Sequence, residues 1–214
     1  GVVACLFGGV AWAHKPVVVD GGATAAGTAY VIADPQVSQV GYHRARAEAP
    51  ELWFRFEAEA GDSLYLSGGV PKIVGLEGVS PAMALLGPGL PEIDVPFAIP
   101  DGYGGVLFST EGAEPEAFYE TFTGTWSWTW PDVDYEVQQS GQYYLVGFVP
   151  GSESKFWMAI GTVEQFGLAD IIKLPQTLWA VRTFHEVFPI GGLLGIAVIV
   201  VLLFMALVGW IILL

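Results

Sequence analysis

The sequence predicts a mainly β protein, an antiparallel, jelly-roll-like β-sandwich followed by a juxtamembrane amphipathic helix and a C-terminal transmembrane helix. Three observations predict this architecture. Short segments of alternating apolar and polar residues are separated by glycine and proline turns, with no helical pattern between them. After residue 165 the apolar residues recur at intervals of three and four, as on one face of a helix. The run 190–214 then contains no charged side chain.

The run 190–214 is long enough to cross a bilayer, because about 20 apolar residues in a helix span a hydrocarbon core of ~30 Å. A helix is expected because each backbone N–H and C=O must be bonded within the segment once water is excluded. The alternative is a buried helix of a soluble core, although such helices are usually shorter and show a polar face.

Charge narrows the possible partners. The chain has 22 acidic and 8 basic residues, which argues against nucleic acid and against docking on an anionic lipid surface. All of these charges lie between residues 14 and 189, so we expect this block to be one extracytoplasmic unit, periplasmic or at the cell surface. The single cysteine, Cys5, lies outside it, so the block has no internal disulfide.

Two interpretations fit the apolar N-terminal stretch 1–13. It is either a retained membrane anchor or the remnant of a secretory signal with an Ala-Trp-Ala cleavage site before His14. Both place the next segment outside the cytoplasm. The expected division is therefore an anchor or signal at 1–13, a sandwich at 14–165, an amphipathic juxtamembrane segment at 166–189 and a span at 190–214.

The strongest strand signal is the alternation within 51–60, where Leu52, Phe54 and Phe56 share one face. A turn at 61–62 leads to a returning strand at 64–66, which predicts a hairpin, and 81–86 is another short strand. Earlier in the chain, 29–32 and 37–42 are predicted to be edge strands or a wrapping arm. The predicted core consists of Leu52, Phe54, Phe56, Leu64, Leu66, Leu85, Tyr144, Val146 and Phe148.

Residues 91–117 are rich in proline and glycine and are predicted to be a loop. Beyond it, 122–130 is a predicted strand with one aromatic face. The strand 142–149 and the strand 155–160, joined by Pro150 and Gly151, are expected to form a second hairpin.

Three of these segments carry a resemblance to a known family. The sequences WFRFEAEAGD at 53–62, AMALLGP at 82–88 and SGQYYLV at 140–146 are similar to bacterial pre-peptidase C-terminal domains and related carbohydrate-binding-like jelly rolls. The resemblance covers about residues 50–161. It implies a non-catalytic β-sandwich appended to a larger assembly, and the insert at 91–117 departs from the family pattern.

The segment 166–187 is predicted to form one or two amphipathic helical turns, with Pro175 starting the second. Because it carries Trp179, Phe184 and Phe188 just before the span, we expect it to lie at the membrane surface. The alternative is a helix packed on the sandwich. Small residues that permit close helix approach in the span add to the predicted partner-contact set, which is Trp179, Phe184, Phe188, Gly191, Gly192 and Gly195.

Metal sites are secondary hypotheses. If cleavage exposes His14 as the terminus, its amine and imidazole could bind copper together with His43. Asp132, Asp134 and Glu136 have the alternate-residue carboxylates of a calcium loop, but they lack its glycine and distal glutamate, so a solvated acidic turn is the competing interpretation. No cofactor is otherwise expected.

The aromatic face of Trp126, Trp128 and Trp130 could be a sugar platform or a partner surface, and such a stripe is also typical of a core. The sequence contains no Gly-x-Ser-x-Gly, His-Glu-x-x-His or Cys-x-x-Cys motif, so we do not expect an enzyme. The leading expectation is a structural or accessory subunit of a membrane protein complex, such as a respiratory or photosynthetic one, whose partners are other integral membrane proteins and the lipid bilayer. The alternative is a surface-tethered module that binds carbohydrate, calcium or copper.

Overall fold

Two β-sheets and one α-helix make up the part of the chain that the computed structural model describes, which is residues 15–18, 22–151, 153–165 and 167–187. This confirms the predicted mainly β, two-sheet fold. In chain order the elements are β1 (Lys15–Val18), a 3-10 helix (Ala26–Thr28), β2 (Tyr30–Val31), β3 (Gln39–Ala45), β4 (Glu51–Ala58), β5 (Ser63–Pro71), β6 (Ala82–Gly87), β7 (Gly104–Ser109), β8 (Glu116–Glu120), β9 (Thr125–Thr129), β10 (Val133–Glu136), β11 (Gly141–Phe148), β12 (Ser154–Ile160) and α1 (Leu168–Phe184).

The larger sheet has seven strands in the order β1-β3-β12-β5-β9-β8, with β10 also paired to β5. The smaller sheet has five strands in the order β2-β4-β11-β6-β7. Most neighbouring strands are antiparallel, whereas β1 pairs with β3 and β2 pairs with β4 in parallel. The strand β3 is therefore internal, and the expectation of an edge strand at 37–42 is wrong, while β2 does lie at an edge.

The core between the sheets is formed by the inward faces of both. Leu52, Phe54 and Phe56 on β4 meet Leu64 and Leu66 on β5, and all five side chains are buried. The alternation that predicted these faces is confirmed, because residues two apart in a strand point to the same side.

The strand β11 is buried on both faces, and this corrects the predicted core. Tyr143 and Leu145 face the other sheet, whereas Tyr144, Val146 and Phe148 lie in a separate apolar cluster on the outer side. All three predicted residues are buried, but the predicted face is wrong. The strand consists almost entirely of apolar residues, so its alternation does not reveal which side meets the other sheet.

The loop 88–103, between β6 and β7, covers that outer side. The Phe97 ring lies 5.2 Å from the Trp53 ring and 5.3 Å from the Phe148 ring, between centroids. The loop prediction was correct for this part of 91–117, but β7 and the start of β8 are strands that it missed. Gly104, at the start of β7, allows the backbone to lie directly against the loop at Leu90, because any side chain there would collide with the Leu90 carbonyl group.

Both predicted hairpins are connections between the two sheets. The strands β4 and β11 belong to the five-stranded sheet, while β5 and β12, which follow them, belong to the seven-stranded sheet. At the first connection Gly61 has a φ of 94°, and its N–H donates to the carbonyl oxygen of Val137. The turn signals were read correctly, but a turn motif does not determine whether the chain returns to the same sheet.

The helix α1 is continuous through Pro175, so the expectation that Pro175 starts a second segment is wrong. Its C-terminal end packs on the outer face of the seven-stranded sheet, where Val181, Phe184 and His185 are buried. No helix among the described residues is both long and apolar enough to cross a bilayer. The predicted anchor at 1–13 and span at 190–214 lie outside the described residues.

Candidate functional site

The outer face of the seven-stranded sheet carries a groove with a volume of about 590 Å³. On β5 the residues Leu64 and Leu66 face the core, so Tyr65 and Ser67 between them face outward into the groove. We call this surface the outer-face groove. Its lining residues are Tyr65, Ser67, Glu116, Phe118, Thr129, Trp130, Pro131, Asp132 and Trp157.

Trp157 forms the floor of the outer-face groove. It lies opposite Gly69 in the pairing of β12 with β5, and its ring covers that glycine so closely that an added Cβ would lie 2.6 Å from the ring. The indole N–H donates to Ser127 Oγ at 3.1 Å. The ring orientation is therefore fixed by β5 on one side and by β9 on the other.

Two carboxylate groups, those of Glu116 and Asp132, line the outer-face groove together with its aromatic rings. The Asp132 carboxylate lines the same groove as the Tyr65 hydroxyl group, and burial followed by the interaction with this carboxylate raises the pKa of Tyr65. The phenol therefore stays protonated and keeps an O–H donor in the groove. Glu116 lines the same groove on β8. Hydroxyl donors, carboxylate acceptors and apolar ring faces therefore surround one open volume.

A buried polar cluster lies next to the groove, beneath the C-terminal end of α1. His185 Nε2 lies 3.1 Å from Ser127 Oγ, and His185 Nδ1 lies 2.9 Å from the carbonyl oxygen of Val181. Burial lowers the pKa of His185 to about 4, so the imidazole is neutral near pH 7. With Nδ1 donating to Val181, Nε2 accepts the hydrogen bond from Ser127.

A serine hydrogen-bonded to a neutral histidine is also the geometry of a nucleophile and its base. Here both side chains are buried beneath α1, and Ser127 Oγ already accepts the Trp157 N–H. The adjoining cavity measures only about 20 Å³, which leaves no room for a substrate. The pair therefore joins the helix to the sheet.

The predicted tryptophan platform is divided between surface and core. Trp126 is 49% exposed and packs against the Tyr119 ring, with 4.9 Å between centroids. Trp128 is partly buried, with the Lys72 ammonium group 4.2 Å from its ring centroid. Trp130 is buried in the core, and its indole N–H donates to the carbonyl oxygen of Ala113. Of the three, Trp130 alone lines the groove.

The proposed metal ligands do not converge in the described part of the chain, where no three His, Cys, Asp or Glu side chains form a group that could hold an ion. Asp134 and Glu136 are exposed, two residues apart on β10. His43 is buried, with Nε2 2.8 Å from the carbonyl oxygen of Ala49 and its ring against Phe156, and burial lowers its pKa. His14 lies outside the described residues.

The predicted partner-contact residues also separate. Trp179 is 54% exposed, whereas Phe184 is buried against Tyr42, with 5.2 Å between ring centroids, and so contacts its own sheet. The remaining four, Phe188, Gly191, Gly192 and Gly195, lie outside the described residues.

Sequence reasoning missed Tyr65, Phe118 and Trp157 as groove residues and Ser127 and His185 as a pair. One signal was available for Trp157, because 156–160 is a continuous apolar run, which is typical of a strand covered on both faces. The other residues come from separate strands and from α1, and only the sheet order brings them together.

The sequence matches no family model. No curated protein matches it either.

Proposed function

We propose that the protein is a membrane-attached, extracytoplasmic subunit that acts by associating with other integral membrane proteins, without a catalytic role. In this proposal the two sheets form a jelly-roll-like sandwich of the pre-peptidase C-terminal type. The run 190–214 is its transmembrane helix, and α1 is the juxtamembrane segment. The observation that carries the proposal is the firm attachment of α1 to the sandwich, immediately before that apolar run.

Ionic and capping contacts hold the start of α1. The Lys15 ammonium group on β1 lies 2.8 Å from Asp170 Oδ1, and Asp170 Oδ2 accepts the N–H of Gly167 at 2.9 Å. These bonds lower the pKa of Asp170, first through Lys15 and then through the Gly167 N–H. A carboxylate in the first turn also interacts favourably with the helix dipole.

Two basic side chains, Arg182 and Lys155, hold the C-terminal end of α1. Arg182 donates to the carbonyl oxygen of Thr123 at 2.8 Å, and the Lys155 ammonium group donates to the carbonyl oxygen of Phe184 at 3.0 Å. Lys155 also lies 2.6 Å from Glu186 Oε1. Because both ends of α1 are fixed to the sandwich, the sandwich would hold a defined orientation relative to the segment that follows α1.

The outward side of α1 carries apolar residues. Ile172 is 72% exposed and Trp179 is 54% exposed, and their spacing of two helical turns places them on one side of the helix. Tryptophan is enriched both at bilayer interfaces and in protein contacts. This side of α1 therefore fits a neighbour at the membrane surface.

Positive charge is concentrated around α1 in a chain whose net charge is −14. Lys173 and Arg182 lie on the helix, Lys15 and Lys155 pair with its two ends, and Arg44 lies over the Phe184 ring. These are five of the chain's eight basic residues. Asp170 and Glu186 neutralise Lys15 and Lys155, so the excess positive charge beside α1 comes from Lys173, Arg182 and Arg44. These three cations reduce the repulsion between this side of an acidic protein and anionic headgroups, which favours α1 as the side that approaches the bilayer.

Co-purification tests the proposal. Replacing Ile172 and Trp179 with serine removes the apolar side of α1 without touching the core, and we expect this to weaken retention of partner proteins by on the order of tenfold. The full chain should be isolated from its native membranes in mild detergent, and co-purifying proteins should be quantified by mass spectrometry. Val74→Ser is the matched control, because Val74 is exposed and lies far along the chain from α1.

A second pair of substitutions tests the apolar run itself. Gly192→Leu with Gly195→Leu blocks close helix approach while preserving hydrophobicity for insertion, and we expect loss of the same partners. Wild-type stoichiometry of every partner in both double variants, each correctly inserted, would show that the association proposal is wrong for this end of the chain.

The outer-face groove favours a second function, the binding of a carbohydrate. A sugar has apolar C–H faces that suit Phe118 and Trp157, and hydroxyl groups that suit the carboxylates of Glu116 and Asp132. A volume of about 590 Å³ lies within the usual range for ligand sites.

Carbohydrate binding would be detected by titrating the full chain with a panel of oligosaccharides. We expect Phe118→Ala and Glu116→Gln each to reduce affinity on the order of tenfold, because each removes one direct contact. Glu114→Gln is the control, since Glu114 is exposed outside the groove lining. Unchanged affinity in Phe118→Ala, or no binding to any sugar, would exclude this second function.

A further inference from the structure

A second cavity, of about 240 Å³, lies at the edge of the core between the two sheets. Met83 and Phe108 on the five-stranded sheet form one wall, and Phe156 with Gly68 on the seven-stranded sheet forms the opposite wall. Trp130 also contributes its ring. The space opens to solvent beside Ser109 and Ala113, which are exposed, so it is a cleft at the edge of the core and not a closed void.

The space exists because Gly68 occupies an inward position on β5. Leu66 and Val70, two residues away on either side, fill the core, but Gly68 has no side chain to do so. An added Cβ would meet Met83 Sδ at 3.4 Å, and the φ angle of Gly68 does not require glycine. The backbone would therefore accept a side chain at the position where the cavity lies.

Polar groups in the cavity wall are already bonded within the protein. The Thr110 hydroxyl group donates to the carbonyl oxygen of Pro81 at 2.6 Å, and the Trp130 N–H donates to that of Ala113 at 3.1 Å. Ser109 Oγ accepts the N–H of Glu111 at 3.2 Å. Ordered water needs two to four polar partners, so such a wall favours an apolar occupant over water.

We propose that this cavity is a binding site for a compact aromatic molecule of one or two rings. It is larger than an engineered apolar cavity of ~150 Å³ that is known to bind benzene. Ring edges and faces from Phe108, Trp130 and Phe156 can pack against a planar ligand, and the Met83 thioether adapts to its edge. The site is separate from α1 and therefore adds a ligand to the association proposed above.

Methionine methyl NMR provides a direct test. The chain has three methionines: Met83 lines the cavity, Met158 is buried in the core, and Met205 lies in the apolar run 190–214. The full chain, labelled with ¹³C at the methionine methyl groups and placed in lipid nanodiscs, would be titrated with toluene up to its solubility limit. We expect a saturable ring-current shift at Met83 and contacts between toluene protons and the Met83 methyl group.

This control rests on the proposed function: with 190–214 as the transmembrane helix, Met205 is the internal reference for toluene that merely dissolves in lipid, because its shift should grow without saturating. Gly68→Leu fills the cavity and is expected to weaken toluene binding at least tenfold, with Val133→Phe as a second filling variant if the first does not fold. Gly78→Leu is the matched control, since a side chain there meets open space.

A Met83 response that only parallels that of Met205, with no toluene contacts to the Met83 methyl group, would overturn the proposal. Unchanged binding in a folded Gly68→Leu or Val133→Phe chain would overturn it as well. The wild-type contacts decide the question even if neither filling variant folds.

Discussion

Replacing Phe54 with alanine is expected to lower the free energy of unfolding by about 3–5 kcal/mol. The Phe54 ring is fully buried on β4 and packs so closely on Gly41 that a Cβ there would come within 2.5 Å of it. It also contacts the Tyr30 ring, with 5.9 Å between centroids. Loss of the ring would leave a cavity between three strands that are held by backbone pairing and cannot collapse into it.

Urea denaturation of the full chain, monitored by tryptophan fluorescence, measures this loss. Phe56→Ala should behave similarly, because Phe56 is also buried and its ring stacks on Tyr143. Val74→Ala is the control and should change the free energy of unfolding by less than about 0.5 kcal/mol, since Val74 is exposed. Losses below about 1 kcal/mol at both phenylalanines would mean that the inward face of β4 is assigned wrongly.

Acidification from pH 6.5 to 4 is expected to destabilise the protein through His185. Burial lowers the pKa of His185 from 6.5 to about 4, so in this range the unfolded chain binds a proton that the folded chain does not. The contribution is fully present above pH 6.5 and is lost as the pH falls toward 4. A shift of this size corresponds to at most about 3 kcal/mol at the acidic end.

The variant His185→Gln isolates this effect, because glutamine keeps a neutral polar group near Ser127 and does not titrate. We expect the difference in free energy of unfolding between wild type and variant to narrow as the pH is lowered from 6.5 to 4. Burial also lowers the pKa of His43, so His43 likewise destabilises the protein as the pH falls. Glu120, which lines the small cavity beside His185, has a pKa raised by burial and therefore stabilises the protein as the pH falls. Both groups remain in the variant, so they cancel. Parallel pH profiles for the two proteins would contradict the role of His185.

Much of the fold was predictable because several strands have one polar face. The alternation in β4 identified Leu52, Phe54 and Phe56 as core residues, and the structure agrees. The strand β11 is apolar on both faces because the 88–103 loop covers its second side. Its sequence therefore has no alternation that could identify the inward face. Tertiary packing, which local sequence does not encode, decided this assignment.

The candidate site was less predictable for a related reason. Tyr65 and Asp132 line the same groove because β10, which begins directly after Asp132, pairs with β5. Likewise, Ser127 and His185 are 58 positions apart and meet only because α1 folds back on the seven-stranded sheet. The aromatic stripe at 126–130 was visible in the sequence, but its division into an exposed Trp126 and a buried Trp130 was not.

Between β11 and β12 the chain passes from the five-stranded sheet to the seven-stranded sheet, and this crossing affects the order in which the protein folds. These two strands come late in the sandwich, yet β11 lies between β4 and β6, and β12 lies between β3 and β5. Neither sheet can be completed until nearly the whole domain has been synthesised, because each central position stays empty until then. Folding dominated by such distant pairings is slow, typically milliseconds to seconds, since large loops must close before their contacts form. Until β11 and β12 arrive, β3 to β6 expose unpaired strand edges, which is the stage at which the chain is most prone to aggregation.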